Sequence, residues 1–407
     1  MPHPLRDRHF RLYVAGRALS LAGDGAVPGA LALAVIAATG STTALAVTLG
    51  CAMVPRLLLL PLGGVIADRF DARKVAITTD IASCVAQLSV GIELLGGEPR
   101  LWQIAVAQVV GGASAAFAAP TTSPLITGTV PPEGRQRANA LLGTVRGATQ
   151  LAGPLLAGTF VLTVGPGWTF VLDAATFAAS GVLLTVMRAA RVRIPRRSLR
   201  ADLAEGWAEV RARDWYWSSL IAHAVWNGAA AVLVTLGPAL VVSRLGGGAV
   251  WIAILEAGAV GLVAGSLVAG RVRLTRPVLT ANLCGAAYAL PLALLAATAP
   301  APLIIAAYGI AMAGLGVLNP VWETVVQATV PGSALARVTS YDWLLSLAAM
   351  PVGYVLAPLT AGFWGPSVPL AAAAVLVGAA CLATAAVPGV RRLTSADAAA
   401  PAEAVRA

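Results

Sequence analysis

The sequence predicts an all-α integral membrane protein whose twelve transmembrane helices form two pseudo-repeated six-helix bundles. Of its 407 residues, 58% are hydrophobic and 11% are charged, and the mean hydropathy is +0.81. These values lie far outside the range of soluble domains. A helix needs about twenty apolar residues to cross the hydrocarbon core of a bilayer, and the chain contains about a dozen runs of that length.

Each predicted span is rich in Ala, Val, Leu and Gly and is bounded by a short segment containing Gly, Pro or Arg. Such segments mark the turns between apolar helices. The spans are predicted at residues 12–38, 43–66, 75–96, 102–127, 138–164, 168–188, 216–243, 249–270, 277–298, 302–328, 339–363 and 367–387.

The positions of the cations predict the orientation of the spans. With a cytoplasmic N-terminus, Arg100 and Arg244 face outward, Arg56 and Arg146 lie inside spans, and the other 24 of the 28 Lys and Arg residues face the cytoplasm. Cytoplasmic loops are enriched in Lys and Arg. We therefore expect a multi-pass protein of the cell membrane with both termini in the cytoplasm. The net charge of +10 follows from this topology, and no nucleic-acid partner is expected.

The chain repeats itself at a spacing of about 200 residues, which is typical of duplicated transporter halves. The segment "GGVIADRFDARK" from Gly63 aligns with "GSLVAGRVRLTR" from Gly265, and the pair Val130-Pro131 recurs as Val330-Pro331. The predicted division is an N-terminal bundle (1–190), a cytoplasmic linker with an interfacial helix or a solvated basic segment (191–215), a C-terminal bundle (216–390) and a disordered cytoplasmic tail (391–407).

Charge is concentrated in "PLGGVIADRFDARKV", residues 61–75, between the second and third spans. Asp68 can favour the positive N-terminal end of a neighbouring helix, and Arg69, Arg73 and Lys74 can reach carboxylates or lipid phosphates. This predicts a cytoplasmic gate that holds two bundles together in one state. The alternative is that the cations are ordinary positive-inside anchors, which leaves Asp68 unexplained.

Ionisable residues inside spans are costly and mark functional sites. Asp24 and Arg56 lie at similar predicted depths on consecutive antiparallel helices, so we expect them to pair. Burial favours the protonated form of a carboxyl and a nearby guanidinium favours the ionised form, so a change in pairing would switch proton affinity. A permanent structural ion pair is the alternative. Glu256 and Glu323 are further candidates for proton coupling.

Other polar and aromatic residues in the spans receive different interpretations. Asp80 and Asp173 lie early in their predicted spans and are interpreted as helix-terminal residues. Trp226, Asn227 and Trp322 are candidates for a substrate cavity that accepts a bulky amphipathic molecule, although Trp more often lies at the membrane interface.

No metal site or cofactor is expected, and a proton gradient is the expected driving force. The four cysteines lie in apolar runs without CxxC spacing, and only one of the three histidines lies in a span. No polar cluster with catalytic spacing is present in the sequence, so an enzyme is not expected. The single lysine, Lys74, is preceded by Arg73, so there is no P-loop of an ATP-driven pump.

These motifs resemble those of the major facilitator superfamily, and the resemblance covers nearly the whole chain. The segment "GGVIADR" with Arg73 is similar to the loop motif Gly-x-x-x-Asp-Arg-x-Gly-Arg-Arg/Lys of that superfamily, matched at Gly64, Asp68, Arg69 and Arg73. The match departs at Asp71 and Ala72, which stand in place of a glycine and an arginine.

The fifth predicted span carries "LAGPLLAG", which resembles the antiporter signature of exporters in that superfamily. The matching residues are Gly153, Pro154 and Gly158, and Arg146 lies seven residues before the first of them. The segments "FRLYVAGRALSLAGDGAVPGALALAVIAATGS" and "RQRANALLGTVRGATQLAGP" look most like the branch that includes macrolide-efflux and enterobactin-exporter proteins.

The resemblance implies a proton-coupled antiporter that exports hydrophobic or amphipathic small molecules and drugs by alternating access. Its expected partners are the small-molecule substrate, protons and membrane lipids, and a monomer is expected. An exporter of a siderophore or another endogenous metabolite is the alternative within transport. A transport-inactive receptor or assembly factor is the alternative from another class.

Overall fold

The protein folds into two compact helical units, Met1–Pro195 and Arg196–Ala407. The computed structural model describes residues 4–97, 99–131, 135–188, 206–269, 271–272, 274–330 and 332–394, and these contain helices and no β-strand. Each predicted span corresponds to one helix or to two consecutive helices, so the prediction of twelve helices in two six-helix units is confirmed.

The spans are numbered here in chain order. Spans 1 to 6 comprise Arg8–Asp24 with Val27–Thr39, Thr42–Arg69, Ala72–Leu95, Leu101–Ala118 with Thr122–Thr129, Arg135–Val164, and Pro166–Val186. Spans 7 to 12 comprise Asp214–Arg244, Gly248–Ala269, Pro277–Ala286 with Ala289–Ala296, Ala301–Thr329, Gly332–Leu347 with Met350–Trp364, and Ser367–Ala383.

Eleven of these spans are long and apolar enough to cross a membrane, counted over the described residues. Span 5, a helix of 30 residues, is the twelfth, and many of its side chains lie outside the described part of the chain. The outer faces expose large apolar side chains, including Leu58 (70% exposed) and Phe363 (81% exposed). Apolar faces of this extent fit a hydrocarbon surrounding and not water.

The predicted linker and tail are described only in part. Residues 189–205, which hold most of the linker, lie outside the described residues. The end of the linker packs on the second unit, since Val210 is buried there and Arg213, paired with Glu209 at 2.8 Å, donates to the Thr329 carbonyl at 3.3 Å. The start of the tail forms the short helix Pro388–Arg392, and residues 395–407 are not described.

Three spans are interrupted one turn before a proline. Proline has no N–H, so the carbonyl four residues earlier loses its helical partner. The first helix of span 1 ends at Asp24, four residues before Pro28. In span 9 the first helix ends at Ala286, five residues before Pro291, and in span 11 it ends at Leu347, four residues before Pro351. In span 1 the interruption therefore falls at the intramembrane acid.

The two units pair their spans in the same way. Span 1 packs on spans 5 and 6, span 2 on span 4, and span 3 on spans 4 and 6 in the first unit; span 7 packs on spans 11 and 12, span 8 on span 10, and span 9 on spans 10 and 12 in the second. Equivalent core positions also match, because Val130 and Ala138 are buried in the first unit and Val330 and Val338 in the second, each 200 residues apart. This supports the internal repeat predicted from the sequence.

Spans 2 and 4 approach so closely that only glycine fits at the contact. A Cβ atom at Gly112 would overlap the backbone carbonyl of Ala52, whereas a Cβ atom at the neighbouring Gly111 would meet open space. In the second unit Gly261 and Gly265 of span 8 lie against the backbone of span 10 in the same manner. Small residues allow this close packing of helices in membranes.

We predict that Gly112→Ala destabilises the protein, because overpacking a tight contact costs about 1–3 kcal/mol. The matched control is Gly111→Ala, which adds the same methyl group one residue away and is expected to be neutral or stabilising, since Ala favours helix. The measurement is the melting temperature of each purified variant in detergent. Equal melting temperatures for the two variants would contradict the described packing.

Candidate functional site

The candidate site lies inside the first unit, where span 1 is interrupted. Asp24 is the last residue of the first helix of span 1, and about fifteen residues of span lie on either side of it. The residue keeps accessible surface although protein atoms surround its carboxyl closely. The helix is broken between Asp24 and Val27, because Pro28 has no N–H to donate to the Asp24 carbonyl. An accessible acid at this depth is able to exchange protons or contact a polar ligand.

Two arginines act electrostatically on Asp24. The charge of Arg17, two helical turns earlier on span 1, has the larger effect, and Arg56 of span 2 has a smaller one. Asp24 and Arg56, both described, form no ion pair in the structure. The expected direct pairing is therefore absent here, because both side chains extend into accessible space and do not contact each other.

Arg17 lies within the first helix of span 1. It is the tenth residue of Arg8–Asp24 and is half-buried. The sequence interpretation counts it among the cations that face the cytoplasm, and that orientation stays a prediction. The charge of Arg17 also acts on Asp80 of span 3. Arg17 thus lies within the electrostatic reach of two intramembrane carboxyls.

The interpretation of Asp80 and Asp173 as helix-terminal residues was wrong. Asp80 is the ninth residue of span 3 and is 4% exposed, and Asp173 is the eighth residue of span 6 and is fully buried. The Gln87 side-chain amide donates to Asp173 Oδ2 at 2.6 Å. The predicted starts of spans 3 and 6, residues 75 and 168, lie only two or three residues after the observed starts. The error arose because the position of an acid along the sequence does not reveal how its side chain packs.

Asp173 lies against the turn that carries Asp24. A Cβ atom on Gly23 would collide with Asp173 Oδ1 and with the Thr176 hydroxyl, so glycine at this position lets span 6 approach the end of the span 1 helix. The charges of Asp24 and Asp173 act on each other. Spans 1, 3 and 6 therefore bring three carboxyls and one guanidinium together in an otherwise apolar bundle.

The charged loop between spans 2 and 3 is described only in part. Asp71 caps the N-terminus of span 3 and accepts from the backbone N–H groups of Arg73 at 2.9 Å and Lys74 at 3.4 Å. This gives a local role to one departure from the family motif. The side chains of Gly64, Asp68 and Arg69 lie outside the described residues, so their part in a cytoplasmic gate stays a prediction.

Arg73 binds backbone carbonyls and forms no ion pair with a carboxylate among the described residues. Its Nε donates to the Leu184 carbonyl at 2.8 Å, and its other guanidinium nitrogen donates to the Thr185 carbonyl. These carbonyls belong to the last turn of span 6, where a cation is favourable. Arg73 thus ties the start of span 3 to the end of span 6, whereas the Lys74 side chain is exposed.

The antiporter signature lies on span 5, which is a continuous helix over Arg135–Val164. The side chains of Arg146, Gly153, Pro154 and Gly158 lie outside the described residues. Their proposed role is therefore a prediction from the sequence.

The candidates in the second unit lie on spans 7, 8 and 10. Glu256 of span 8 is half-buried and Glu323 of span 10 is exposed. Trp226 packs against Tyr288 with ring centroids 4.4 Å apart, and the Asn227 side chain donates to the His223 carbonyl at 2.9 Å. The His223 ring packs against Trp322 with centroids 4.8 Å apart, so His223 links Asn227 to Trp322. The substrate cavity predicted at Trp226, Asn227 and Trp322 stays a prediction.

Trp322 belongs to the core of the second unit and is 7% exposed. Its indole N–H donates to Asp342 Oδ2 at 2.6 Å, and the Tyr216 hydroxyl donates to the same oxygen at 2.9 Å. Sequence reasoning missed Asp342, because its partners come from spans 7 and 10 and no local motif signals them. Trp322 thus packs in the core of the second unit, and its part in a substrate cavity stays a prediction.

Comparison with known proteins agrees with this architecture. The sequence model of the Major Facilitator Superfamily matches residues 14–346. The multidrug efflux pump Tap of Mycobacterium tuberculosis is 26% identical over 372 residues, which cover 84% of each chain, and the Tap protein of Mycobacterium bovis matches equally.

Solved structures show the same fold at low sequence identity. A POT family transporter in complex with 5-aminolevulinic acid has a TM-score of 0.73 at 11% identity, covering 95% of this chain and 97% of that one. The nucleoside transporter NupG has a TM-score of 0.70 at 9% identity, covering 93% and 99%. A bacterial homolog of the human lysosomal transporter Spinster has a TM-score of 0.68 at 15% identity, covering 98% and 99%.

The family match and the named relative show a multi-pass membrane transporter and not an enzyme. The chain belongs to the major facilitator superfamily, as the family match over most of its length shows. Its similarity to the multidrug efflux pump Tap is distant.

We predict that Arg73→Gln destabilises the protein by about 1–3 kcal/mol, because two hydrogen bonds from a charged donor to the end of span 6 are lost. Lys74→Gln is the matched control, since it removes the same charge from a neighbouring exposed side chain. Thermal unfolding of the purified variants in detergent measures the difference. A loss of stability that is equal in both variants would indicate a general effect of charge and would contradict the contact.

Proposed function

We propose that this transporter is a proton-coupled antiporter that exports hydrophobic or amphipathic small molecules by alternating access. The observation that carries the proposal is the solvent-accessible Asp24 carboxyl inside span 1, with Arg17 and Arg56 acting on its charge. A carboxyl in this environment changes its proton affinity when a cation moves toward or away from it. The similarity to a multidrug efflux pump supports export of drug-like molecules.

In the proposed coupling, a proton and the substrate compete for the ionised Asp24 carboxylate. Protonation of Asp24 from outside removes its negative charge and frees the arginines from it. Release of the proton to the cytoplasm restores the carboxylate, which a cationic amphipathic substrate can neutralise in place of the proton. Each cycle would then move substrate outward and protons inward. Glu256 and Glu323 are the further acids that can take part.

The proposed setting is the cell membrane, with both termini in the cytoplasm and a monomer as the working form. The basic end of the second unit supports contact with lipid. A cavity of about 530 Å³ there is lined by Arg276, Arg391 and Arg392. Three guanidinium groups at the predicted cytoplasmic side fit an anionic lipid headgroup.

The proposal is tested by efflux of lipophilic dyes and macrolide-like compounds from cells that express the protein. We expect Asp24→Asn to reduce efflux to the level of cells without the protein, because the amide cannot be ionised. Asp24→Glu, which keeps a titratable group, is expected to retain part of the activity. A protonophore is expected to abolish wild-type efflux.

Expression of each variant at the membrane is the control for folding. Efflux that continues in the presence of the protonophore, or an Asp24→Asn variant with full activity, would exclude Asp24 as the coupling acid.

The exposed guanidinium of Arg56 favours a second candidate, an exporter of an anionic metabolite such as a siderophore. If that candidate is correct, Arg56→Gln abolishes export of anionic compounds and Arg56→Lys retains it. For an exporter of cationic drugs we expect Arg56→Gln still to extrude cationic dyes, although more slowly, because Arg17 has the larger effect on Asp24. Efflux of an anionic and a cationic dye, measured in the same cells, separates the two functions.

A further inference from the structure

The buried acids of the first unit lie at two levels of one polar core. The helix ends at Arg8, Ala72 and Val186 meet, because Arg73 contacts the end of span 6 and His9 Nδ1 accepts from the Arg188 backbone N–H at 3.1 Å. Depth can therefore be counted from a common end at 1.5 Å per residue.

Two levels result from this count. Asp173, Gln87 and Asp24 lie about 20–24 Å from the common end, and Ser180, Asp80 and Arg17 lie about 9–14 Å from it. Spans 1, 3 and 6 each contribute one residue to the upper level and one to the lower level. Span 6 packs on both span 1 and span 3. Its Asp173 accepts from Gln87 at the upper level, and its Ser180 lies against Gly16 of span 1 near the lower level.

The lower level contains buried polar atoms that are poorly satisfied. Asp80 Oδ2 and Ser180 Oγ are buried, and neither makes a hydrogen bond of ordinary geometry within the described structure, although the two side chains lie close enough to interact. Ser180 is fully buried, and Asp80 is 4% exposed. Each such atom costs free energy unless a proton or a water molecule satisfies it. A proton on Asp80 would turn an acceptor into a donor toward the neighbouring serine.

The upper level holds a carboxyl on which no cation of the described residues acts. Asp173 is fully buried and accepts from Gln87, and the charged or titratable groups that act on it are Asp24 of span 1 and the Cys84 thiol of span 3. An ionised carboxylate without a paired cation is strongly disfavoured in such a setting. Arg17 and Arg56 act on Asp24, and Arg17 also acts on Asp80. The Arg146 side chain of span 5 lies outside the described residues.

We propose that Asp173, Asp24 and Asp80 form a proton pathway within the first unit, in which Arg17 neutralises whichever of Asp24 and Asp80 is ionised. The accessible Asp24 takes up a proton and transfers it to the neighbouring Asp173 carboxylate, which leaves Asp24 ionised again. Water molecules then carry the proton across the roughly 8–12 Å between the two levels to the Asp80 carboxylate. The proposal rests on the proton coupling proposed above.

Infrared spectroscopy of the purified protein tests the pathway without requiring transport. The carbonyl stretch of a protonated carboxyl is separate from the bands of a carboxylate and is sensitive to hydrogen bonding. We expect the wild-type protein to show carboxyl bands that titrate with pH, and Asp173→Asn and Asp80→Asn each to lose one of them. Glu93→Gln, an acid at the far end of span 3, is the matched control and is expected to retain these bands.

Gln87→Met keeps all three acids and is a second variant, whose result does not depend on the folding of the asparagine variants. Because it removes the donor to Asp173 Oδ2, it is expected to shift the Asp173 band without abolishing it. Spectra of the aspartate variants that equal the wild-type spectrum would overturn the proposal. A band from Asp173 that persists at every pH would also overturn it, since a permanently protonated residue carries no proton across.

Transport in liposomes separates this proposal from the function on which it rests. With rhodamine 6G as the probe, we expect Asp173→Asn to lose accumulation driven by a pH gradient and to retain downhill exchange. Loss of both in a folded variant would indicate a structural role and would contradict the pathway. Wild-type accumulation that is independent of the pH gradient would contradict proton coupling itself, while the infrared titration would still report on the acids.

Discussion

The cost of placing charge in an apolar bundle is the constraint on which the rest of the first unit depends. Carboxyls on spans 1, 3 and 6 are buried or lie deep in the span, and the only cations that act on them in the described structure are Arg17 and Arg56. Three acids and two guanidiniums cannot all be satisfied by fixed pairs, so at least one acid is expected to carry a proton. This arrangement depends on three features: the close approach of span 6 at Gly23, the helix break before Pro28 and the hydrogen bond from the Gln87 amide to Asp173.

The two halves share a scaffold but differ in their polar content. Equivalent spans pair in both units, and buried core positions recur 200 residues apart. The second unit has no counterpart of the three-acid core among its described residues. Its most connected acid, Asp342, is held by Trp322, Tyr216 and Ser346, which ties span 11 to spans 7 and 10. The two units thus share their helix packing, whereas the group of three intramembrane acids is described only in the first unit.

The fold could be predicted from the sequence because hydropathy, cation placement and the internal repeat act over long stretches. Span boundaries agree with the helices to within a few residues in most cases. Asp24 and Arg56 were identified because a charge inside an apolar run is visible without knowing its neighbours. Asp80 and Asp173 were misjudged, and the influence of Arg17 on them was not foreseen, because both depend on the packing of spans 1 and 3 against span 6, which no local pattern encodes. The Arg73 contact with the end of span 6 was missed for the same reason.

The most direct test of proton antiport is the movement of protons by the purified protein in liposomes that enclose a pH-sensitive dye. No gradient is imposed, and a dye shown to be transported in cells is added on one side. The account predicts that entry of the dye drives protons the opposite way and that Asp24→Asn abolishes this movement. Transport of the dye with no change in internal pH would contradict the account.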